Sequence, residues 1–350
     1  MVWMARVLRD AGVRVHVYSL AGGRYQHALE DARVPLSFVP PGRPITRLVT
    51  LISTLKLFKP HFVQSTHAFA NLYAVLGARA VGAVGIGALR SDLAHCIESN
   101  GSWTRWLIRA PAALFVNSIR AFDDVLNRPS LRRSNIYVIP NAVEVLQSGR
   151  ATARAPGHMT VAFIGRLTAV KRVDVFLQAL RDARSVVPHL RGVIVGDGPE
   201  CAVLRRRAHE LALLPDHLSF LGWRADVAEI LCGCDMLALT SDHEATPNVI
   251  LEAMAASLPV ITTPAGDART LVRDGTRGFV VPFNDVPALA DRLRRLCADA
   301  ELRHDLGRAG REFVQREHSP ARLRNVLLDA YRDLAPAALK PRLVELRECV

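Results

Sequence analysis

The chain has 350 residues and a formal net charge of +12, and half of its residues are apolar. This length accommodates two domains of ordinary size, each with its own core. The sequence contains no uncharged apolar run of 18 residues and becomes charged within its first residues, so we expect neither a transmembrane helix nor a signal peptide.

The cysteines and the charges limit which cellular compartment and which partners we expect. The six cysteines are scattered without the spacing of metal ligands, so we expect a reduced, cytoplasmic protein with no metal site. Residues 1–150 hold 18 Lys and Arg against 8 Asp and Glu, whereas residues 151–350 hold 27 against 25. The basic first half suits an anionic lipid or acceptor, although an arginine-rich proteome would explain it equally. Aromatic residues are not interleaved with the basic ones, so we expect no nucleic-acid partner.

In the first half of the chain, helical and strand patterns alternate. The predicted elements are, in order, helix 1–11, strand 13–18, helix 45–58, strand 62–65, helix 71–80, and strands 86–89, 112–117 and 136–139. His67 and Arg90 each follow one of these strands and are candidates for contact with a ligand. A structural hydrogen-bonding role for His67 is an equal alternative.

The polar residues 144–158 have no periodic pattern and are predicted to form a linker, after which the alternation repeats. The predicted elements are strand 160–164, a helix from Val173, strands 192–196 and 218–221, helix 226–233, strand 237–239, helix 247–257, strand 259–263, a strand ending at Pro282, and helices 285–298, 301–316 and 320–334. Two such halves predict two Rossmann-like domains, which bind ligands at the carboxyl ends of their strands.

The stretch 237–262 carries the strongest chemical signal. We predict Thr246 as the N-cap and Pro247 as the first residue of the helix that follows strand 237–239. A helix that begins at the carboxyl end of a buried strand directs backbone N–H groups and the positive end of its dipole at the ligand, which suits a phosphate. Two acids, Glu244 and Glu252, bracket this helix start.

A second cluster follows strand 160–164, where Gly165-Arg166-Leu167 is followed by Lys171. Arg166 offers a bidentate fork and Lys171 a point charge for phosphate oxygens. Together they could stabilise the negative charge that grows on a departing diphosphate without a metal ion. The alternative is that both are ordinary solvated cations.

These motifs together resemble the retaining glycosyltransferase family 4, the glycosyl transferases group 1. The resemblance is carried by Glu244, seven residues, then Glu252-Ala-Met-Ala and Leu258-Pro-Val, by Gly165-Arg-Leu with Lys171, and by Pro140-Asn141-Ala-Val-Glu. It implies an α/β, GT-B fold of two Rossmann-like domains with parallel sheets facing a central cleft. The implied divisions are an acceptor domain over 1–143, the linker, a nucleotide-sugar domain over 159–318, a crossover helix over 319–335 and an unassigned tail over 336–350.

The resemblance also implies an activity, which is transfer of a sugar from a nucleotide-diphosphate sugar to a saccharide or lipid-linked acceptor. This would serve cell-surface polysaccharide or glycolipid synthesis, with no metal or other cofactor, and with peripheral contact to an anionic membrane at its inner face. Glu244, Arg166 and Lys171 would be catalytic, and His67 and Arg90 would contact the acceptor or the sugar. The implied donor-binding residues are Gly165, Arg166, Lys171, Gly196, Trp223, Glu244, Thr246, Pro247, Asn248, Val249 and Glu252.

The chain departs from the family pattern at its beginning. Family members usually open with a strand and a Gly-Gly loop ahead of the first helix, whereas Gly22-Gly23 here follow the second strand, so we expect the chain to be N-terminally short. Arg90 stands where many members have a histidine. Two alternatives stay open, which are a nucleotide-sugar epimerase of the same fold and a non-catalytic module that binds nucleotide sugars.

Overall fold

The computed structural model describes residues 1–20, 26–39, 41–90, 93–145, 157–341 and 343–344. The chain divides into two compact units, of which the first comprises residues 1–142 and 320–350 and the second residues 143–319. Within the predicted linker, residues 146–156 lie outside the described residues, as do Gly22-Gly23 and the end of the predicted tail from residue 345. Among the described helices, none combines the length and the apolar character that crossing a bilayer requires.

Unit 1 alternates short strands with helices. Its strands are β1 (Val17–Ser19), β2 (Leu36–Phe38), β3 (Phe62–Gln64), β4 (Val84–Leu89), β5 (Ala113–Val116) and β6 (Ile136–Val138). Its helices are α1 (Val2–Asp10), α2 (Gln26–Asp31), α3 (Pro44–Phe58), α4 (Asn71–Val81), α5 (Leu93–Asn100), α6 (Trp103–Arg109), α7 (Ile119–Asn127) and α15 (Pro320–Leu334). The strands form a parallel pair, β1-β2, and a parallel four-stranded sheet in the order β3-β4-β5-β6.

The core of unit 1 joins the two ends of the chain. Leu8 of α1 and Leu327 of α15 are buried in one cluster with Phe115 of β5. The hydroxyl of Tyr331, also in α15, donates a hydrogen bond to the side chain of Gln64 in β3. Helix α15 therefore packs on α1 and on the sheet of unit 1.

The predicted strand 13–18 is too long at its beginning. The backbone N–H of Val13 donates to the carbonyl of Leu8 over 3.0 Å, which makes this residue part of the end of α1. Pairing starts only at Val17, which lies opposite Leu36 of β2. Strand β2 itself was not predicted, because three residues of mixed polarity give almost no periodic signal.

Unit 2 contains one continuous sheet. Its strands are β7 (Met159–Ile164), β8 (Leu190–Val195), β9 (Leu218–Gly222), β10 (Met236–Leu239), β11 (Val260–Thr262) and β12 (Gly278–Val280). Its helices are α8 (Val173–Arg184), α9 (Cys201–Glu210), α10 (Val227–Cys232), α11 (Asn248–Ala255), α12 (Ala268–Val272), α13 (Val286–Ala298) and α14 (Ala300–Glu317). The strands are all parallel and lie in the order β12-β11-β10-β7-β8-β9.

The strands at the centre of this sheet are covered by helices. All four residues of β10 and the last four of β7 are buried, as their unbroken apolar sequences predict for a parallel sheet with both faces covered. Strands β8 and β9 are added to one side of β7, whereas β10, β11 and β12 are added to its other side. The order in which strands are added therefore reverses between β7 and β10. Ligands of doubly wound sheets bind at the carboxyl ends of the strands at such a switch point.

Candidate functional site

The candidate site of unit 2 lies where the loops after β7 and β10 meet. The two strands pair directly, with Met236 opposite Val161 and Leu237 opposite Ala162. The loop after β7 carries Gly165, Arg166 and Lys171, and the loop after β10 carries Glu244 and leads into α11. The backbone N–H of Asp242 donates to the carbonyl of Val170 over 2.8 Å, which fastens one loop to the other.

Lys171 and Glu244 form an ion pair across the two loops. Lys171 Nζ donates to Glu244 Oε1, and the hydroxyl of Ser241 donates to the same oxygen over 2.7 Å. The side chains are only 21% and 12% exposed, so the pair is largely screened from water. Two charges that lie 73 positions apart in the chain thus hold each other in place at the switch point.

A polar network that the sequence analysis missed holds the backbone at Lys171 in place. The buried Thr240 donates its hydroxyl hydrogen to the carbonyls of Lys171 and Arg172, at 3.0 and 2.8 Å. Arg172 has a left-handed backbone (φ 46°), and its guanidinium bonds Asp174 through two nitrogens at 3.1 and 3.0 Å. It also lies 3.6 Å from the carboxylate of Asp242.

The ion pairs in this network stabilise the charged form of Arg172. Its hydrogen bonds and charge interactions, first with Asp174 and then with Asp242, raise the pKa of the guanidinium. The only sequence signal for the network was the position of Thr240 and Arg172 beside Ser241 and Lys171.

Arg166 is the free cation of this loop. Its side chain is exposed and forms no hydrogen bond or ion pair with any residue that the structure describes. The loop beneath it is nevertheless fixed, because the N–H of Leu167 donates to the carbonyl of Asp197 over 3.0 Å. A guanidinium held on an ordered backbone and left without a partner is suited to an anionic ligand.

Gly196 permits the close approach of the loops after β7 and β8. Its φ of +138° lies in the region that disfavours side chains, and a Cβ atom at this position would stand 1.8 Å from the carbonyl oxygen of Gly165. Its own N–H donates to Gly222 over 2.7 Å, next to the half-exposed Trp223. The predicted residues Gly165, Gly196 and Trp223 therefore follow three adjacent strands.

The start of α11 differs from the prediction. The helix begins at Asn248, with Pro247 as its N-cap in an extended conformation, and Thr246 is not the cap. The hydroxyl of Thr246 instead donates to the carboxylate of Asp267 over 2.8 Å. This tertiary hydrogen bond to a buried acid outweighs the local capping preference of threonine. The helix also ends at Ala255, two residues before the predicted end.

The first turn of α11 still presents the positive end of the helix at the carboxyl end of β10. Asn248 is exposed, and Val249 is partly buried against the core of unit 2. Glu252 lies in the next turn, and burial raises the pKa of its carboxyl group. No described residue donates a hydrogen bond to this carboxyl group, which leaves its oxygens available for hydroxyl groups of a ligand.

His67 and Arg90 belong to unit 1 and follow its neighbouring strands β3 and β4. The Arg90 guanidinium donates to the side chain of Asn141 and contacts Met4 Sδ at 3.3 Å. Burial lowers the pKa of Arg90, and burial followed by the charges of Arg90 and the Met1 amino group lowers the pKa of His67. The side chain of Arg90 lines a small pocket together with residues that include Ser65.

Comparison with known proteins finds a family model that matches part of this chain. Residues 150–313 match the family model of the glycosyl transferases group 1. The matched part begins just before β7 and ends within α14, so it contains every candidate residue of unit 2. The predicted resemblance is therefore confirmed at the level of the group 1 family model, over just under half of the chain.

Curated relatives match over stretches of comparable length. The chain is 30% identical over 209 residues to the lipopolysaccharide core biosynthesis glycosyltransferase LpsE of Rhizobium meliloti, covering 58% of each chain. It is 33% identical over 151 residues to the N-acetyl-alpha-D-glucosaminyl L-malate synthase of Bacillus anthracis, covering 43% of this chain and 39% of the relative. The chain thus spans about half the length of the curated relatives that it matches.

Solved structures agree over almost the whole chain. Alr3699/HepE of Anabaena, crystallised with UDP-glucose, superposes with a TM-score of 0.82 at 20% identity, covering 95% of this chain and 94% of the other. The sucrose-phosphate synthase of Thermosynechococcus elongatus gives a TM-score of 0.76 at 18% identity, covering 95% and 91%. The predicted α/β, GT-B fold class is confirmed.

Proposed function

We propose that this chain is a glycosyltransferase that moves a sugar from a nucleotide-diphosphate sugar to a saccharide or lipid-linked acceptor, with retention of the anomeric configuration. The observation that carries the proposal is the ion pair of Lys171 and Glu244 beside the free guanidinium of Arg166, at the switch point of the unit 2 sheet. The match of residues 150–313 to the glycosyl transferases group 1 supports the same activity.

In this proposal the sugar donor binds along the carboxyl edge of the unit 2 sheet. Arg166 and Lys171 bind the diphosphate, assisted by the positive end of α11 at Asn248 and Val249. Glu252 accepts hydrogen bonds from the ribose hydroxyls, since its carboxyl group is desolvated and no described residue donates to it. Gly165, Gly196, Trp223, Thr246 and Pro247 form the surrounding surface.

Glu244 and Lys171 exchange partners when the sugar donor binds. Lys171 turns its charge to the phosphate, and the carboxylate of Glu244 becomes available for hydroxyls of the transferred sugar. As the bond from the anomeric carbon to the phosphate oxygen breaks, Arg166 and Lys171 stabilise the charge on the diphosphate, and Glu244 stabilises positive charge at the anomeric carbon. The acceptor oxygen bonds to the same face, and its proton passes to the leaving phosphate.

Unit 1 provides the acceptor contacts in this proposal, through His67 and Arg90. The excess of 18 basic over 8 acidic residues in the first 150 positions suits an anionic or lipid-linked acceptor. The relatives include a lipopolysaccharide core biosynthesis glycosyltransferase and a phosphatidylinositol monomannoside mannosyltransferase. In this proposal, the chain makes polysaccharides or glycolipids of the cell surface and contacts an anionic membrane peripherally at its inner face.

The proposal is tested by calorimetric titration with UDP-, GDP- and ADP-sugars. UDP-glucose is the first to try, because it is bound to a solved structure of the same fold. We expect one nucleotide class to bind, and Arg166→Ala and Glu252→Ala each to weaken that binding at least tenfold. Arg206→Ala, which removes an exposed arginine of α9, is the matched control and should bind like the wild type.

Turnover decides between the transferase and its alternatives. The proposal is supported if a glycoside with retained anomeric configuration forms only when an acceptor is present. Release or inversion of the sugar without an acceptor would favour an epimerase. Tight binding without any turnover would favour a binding module, and binding that survives both Arg166→Ala and Glu252→Ala would refute the assigned site.

A further inference from the structure

One long stretch of unit 1 contains no acidic residue. Between Asp31 and Asp92 the sequence has seven lysines and arginines and neither aspartate nor glutamate. This stretch includes α3, the longest helix of unit 1 together with α15, at 15 residues each. A helix surface of this composition cannot repel an anionic partner through its own carboxylates.

The orientation of α3 is fixed by its packing on α4. Leu51 and Leu55 are buried, and the absence of a side chain at Gly77 of α4 lets them approach, since a Cβ there would lie 2.8 Å from Leu55 Cδ1. The opposite face consequently points to solvent. It carries large apolar side chains, because Ile45, Val49 and Leu57 are 77%, 58% and 85% exposed.

These apolar side chains lie on one side of the helix. We call this side the α3 outer face and define it by Ile45, Val49 and Leu57. At 3.6 residues per turn the three positions lie within roughly 120° of one another. Three large exposed apolar side chains on one face of a helix are more than the single scattered ones that are normal on a protein surface.

Three of the four hydroxyl groups of α3 donate hydrogen bonds to carbonyls of the same helix. Thr50 Oγ1 donates to the carbonyl of Thr46 over 3.1 Å, and Ser53 Oγ donates to the carbonyl of Val49 over 3.0 Å. Thr54 repeats the pattern with Thr50 over 2.9 Å. Entry of these residues into a less polar medium therefore breaks no hydrogen bond, which removes most of the usual cost of transferring hydroxyls from water.

Basic residues border the α3 outer face at both ends. Arg43 is the N-cap of α3, Lys56 lies in its last turn, and Lys59 follows it as the C-cap. All three are exposed, and none forms an ion pair with a residue that the structure describes. Apolar side chains flanked by uncompensated cations are the pattern of a helix that lies flat in the headgroup region of an anionic bilayer.

We propose that the α3 outer face docks on an anionic lipid surface. This inference deepens the proposed function by naming the surface that makes the membrane contact. It rests on that function only for the reason why the protein would bind a membrane. A second copy of the chain is a poorer occupant, because a twofold contact across this face would bring the cations of α3 close to their own copies. An anionic lipid layer neutralises them.

Vesicle co-sedimentation of the full chain tests the surface. We expect binding to vesicles of phosphatidylglycerol and phosphatidylcholine, much weaker binding to phosphatidylcholine alone, and release by salt. The combined change Ile45→Ser, Val49→Ser and Leu57→Ser should lower the partition coefficient on the order of 100-fold, since each side chain loses its transfer from water. Lys56→Gln with Lys59→Gln should lower it about 25-fold, from roughly fivefold per lysine.

The matched control replaces exposed valines of unit 2. Val186 and Val203 are 66% and 50% exposed, and Val186→Ser with Val203→Ser should leave vesicle binding unchanged. Equal binding by the α3 variant and the control would overturn the proposal, as would no binding by the wild type. Concentration-dependent dimerisation that is lost in the α3 variant would overturn it in favour of a second copy.

The outcome is separable from that of sugar transfer. Calorimetric binding of the sugar donor to the α3 variant reports directly on unit 2 and on correct folding, and it should equal that of the wild type. If the wild type binds vesicles but no nucleotide sugar, the proposed function fails and the lipid surface stands.

Discussion

The two units place charged side chains at the same topological position and treat the charge differently. In unit 2, Lys171 and Glu244 follow neighbouring parallel strands and neutralise each other. In unit 1, His67 and Arg90 also follow neighbouring strands, but burial and then the charge of Arg90 oppose protonation of His67 and lower its pKa. The charges of Lys171 and Glu244 thus compensate each other before any ligand arrives, whereas no carboxylate among the described residues compensates the charge of Arg90.

This difference teaches how each site would respond to an anion. In the proposed mechanism, a diphosphate that binds Lys171 separates this residue from Glu244, so its binding is coupled to the release of Glu244 for the sugar. An anion entering unit 1 displaces no carboxylate from Arg90, because no described carboxylate pairs with it.

The largest expected effect comes from breaking the balanced pair. Glu244→Gln keeps the size of the side chain and removes the charge, and we expect kcat/KM for sugar transfer to fall on the order of 10²- to 10³-fold, as for loss of one electrostatic stabiliser. Steady-state kinetics with the sugar donor identified by calorimetry measure it. Glu210→Gln on the surface of α9 is the control, and a loss of less than threefold at Glu244 would contradict a catalytic role.

A smaller effect is expected from replacing one glycine in each unit, which compares how closely the backbone is packed at the two positions. In unit 2, Gly196→Ala drives a Cβ into the carbonyl of Gly165, and we expect the free energy of unfolding to fall by about 3 kcal/mol or the chain not to fold. In unit 1, Gly82 has a φ of +69° with nothing within 4 Å of its Cβ position. Gly82→Ala should therefore cost only about 1 kcal/mol. Urea unfolding of both variants makes the comparison, and equal losses would contradict the close approach at Gly196.

The smallest effect sharpens the description of unit 1. Arg90→Gln removes one cause of the lowered pKa of His67, so this pKa should rise toward its ordinary value of 6.5, whereas Arg79→Gln on the exposed side of α4 should not change it. NMR titration of the imidazole measures the shift. An unchanged pKa in Arg90→Gln would contradict a contribution of Arg90 to the pKa of His67.

The same lowered pKa predicts a dependence of stability on pH. The unfolded chain binds the His67 proton more tightly than the folded chain, so the free energy of unfolding should fall as the pH drops below about 6.5. The fall attributable to this residue should be smaller in Arg90→Gln, and absent in His67→Gln. Urea unfolding at a series of pH values checks the sign.

Much of this protein could be predicted from local pattern. The unbroken apolar run of β7 and the alternation of strands and helices indicated two Rossmann-like domains, and the family resemblance carried by Glu244 and Glu252 implied the GT-B fold class. These signals are strong because burial on both faces demands continuous apolar strands, and an amphipathic helix demands its own period. Elements with weak local signals, such as the three-residue β2, were missed for the same reason.

What only the tertiary structure decided is which side chains meet. Thr246 satisfies every local rule for an N-cap, yet its hydroxyl donates to Asp267, which is 21 positions away in the chain. The pairing of Lys171 with Glu244 likewise depends on β7 lying beside β10, an adjacency that no local pattern encodes. The sequence by itself determined the elements and the chemistry of their ends, because these depend on neighbours in the chain. The strand order of the folded sheet determined which ends face each other, because hydrogen bonds and ion pairs depend on distance in space.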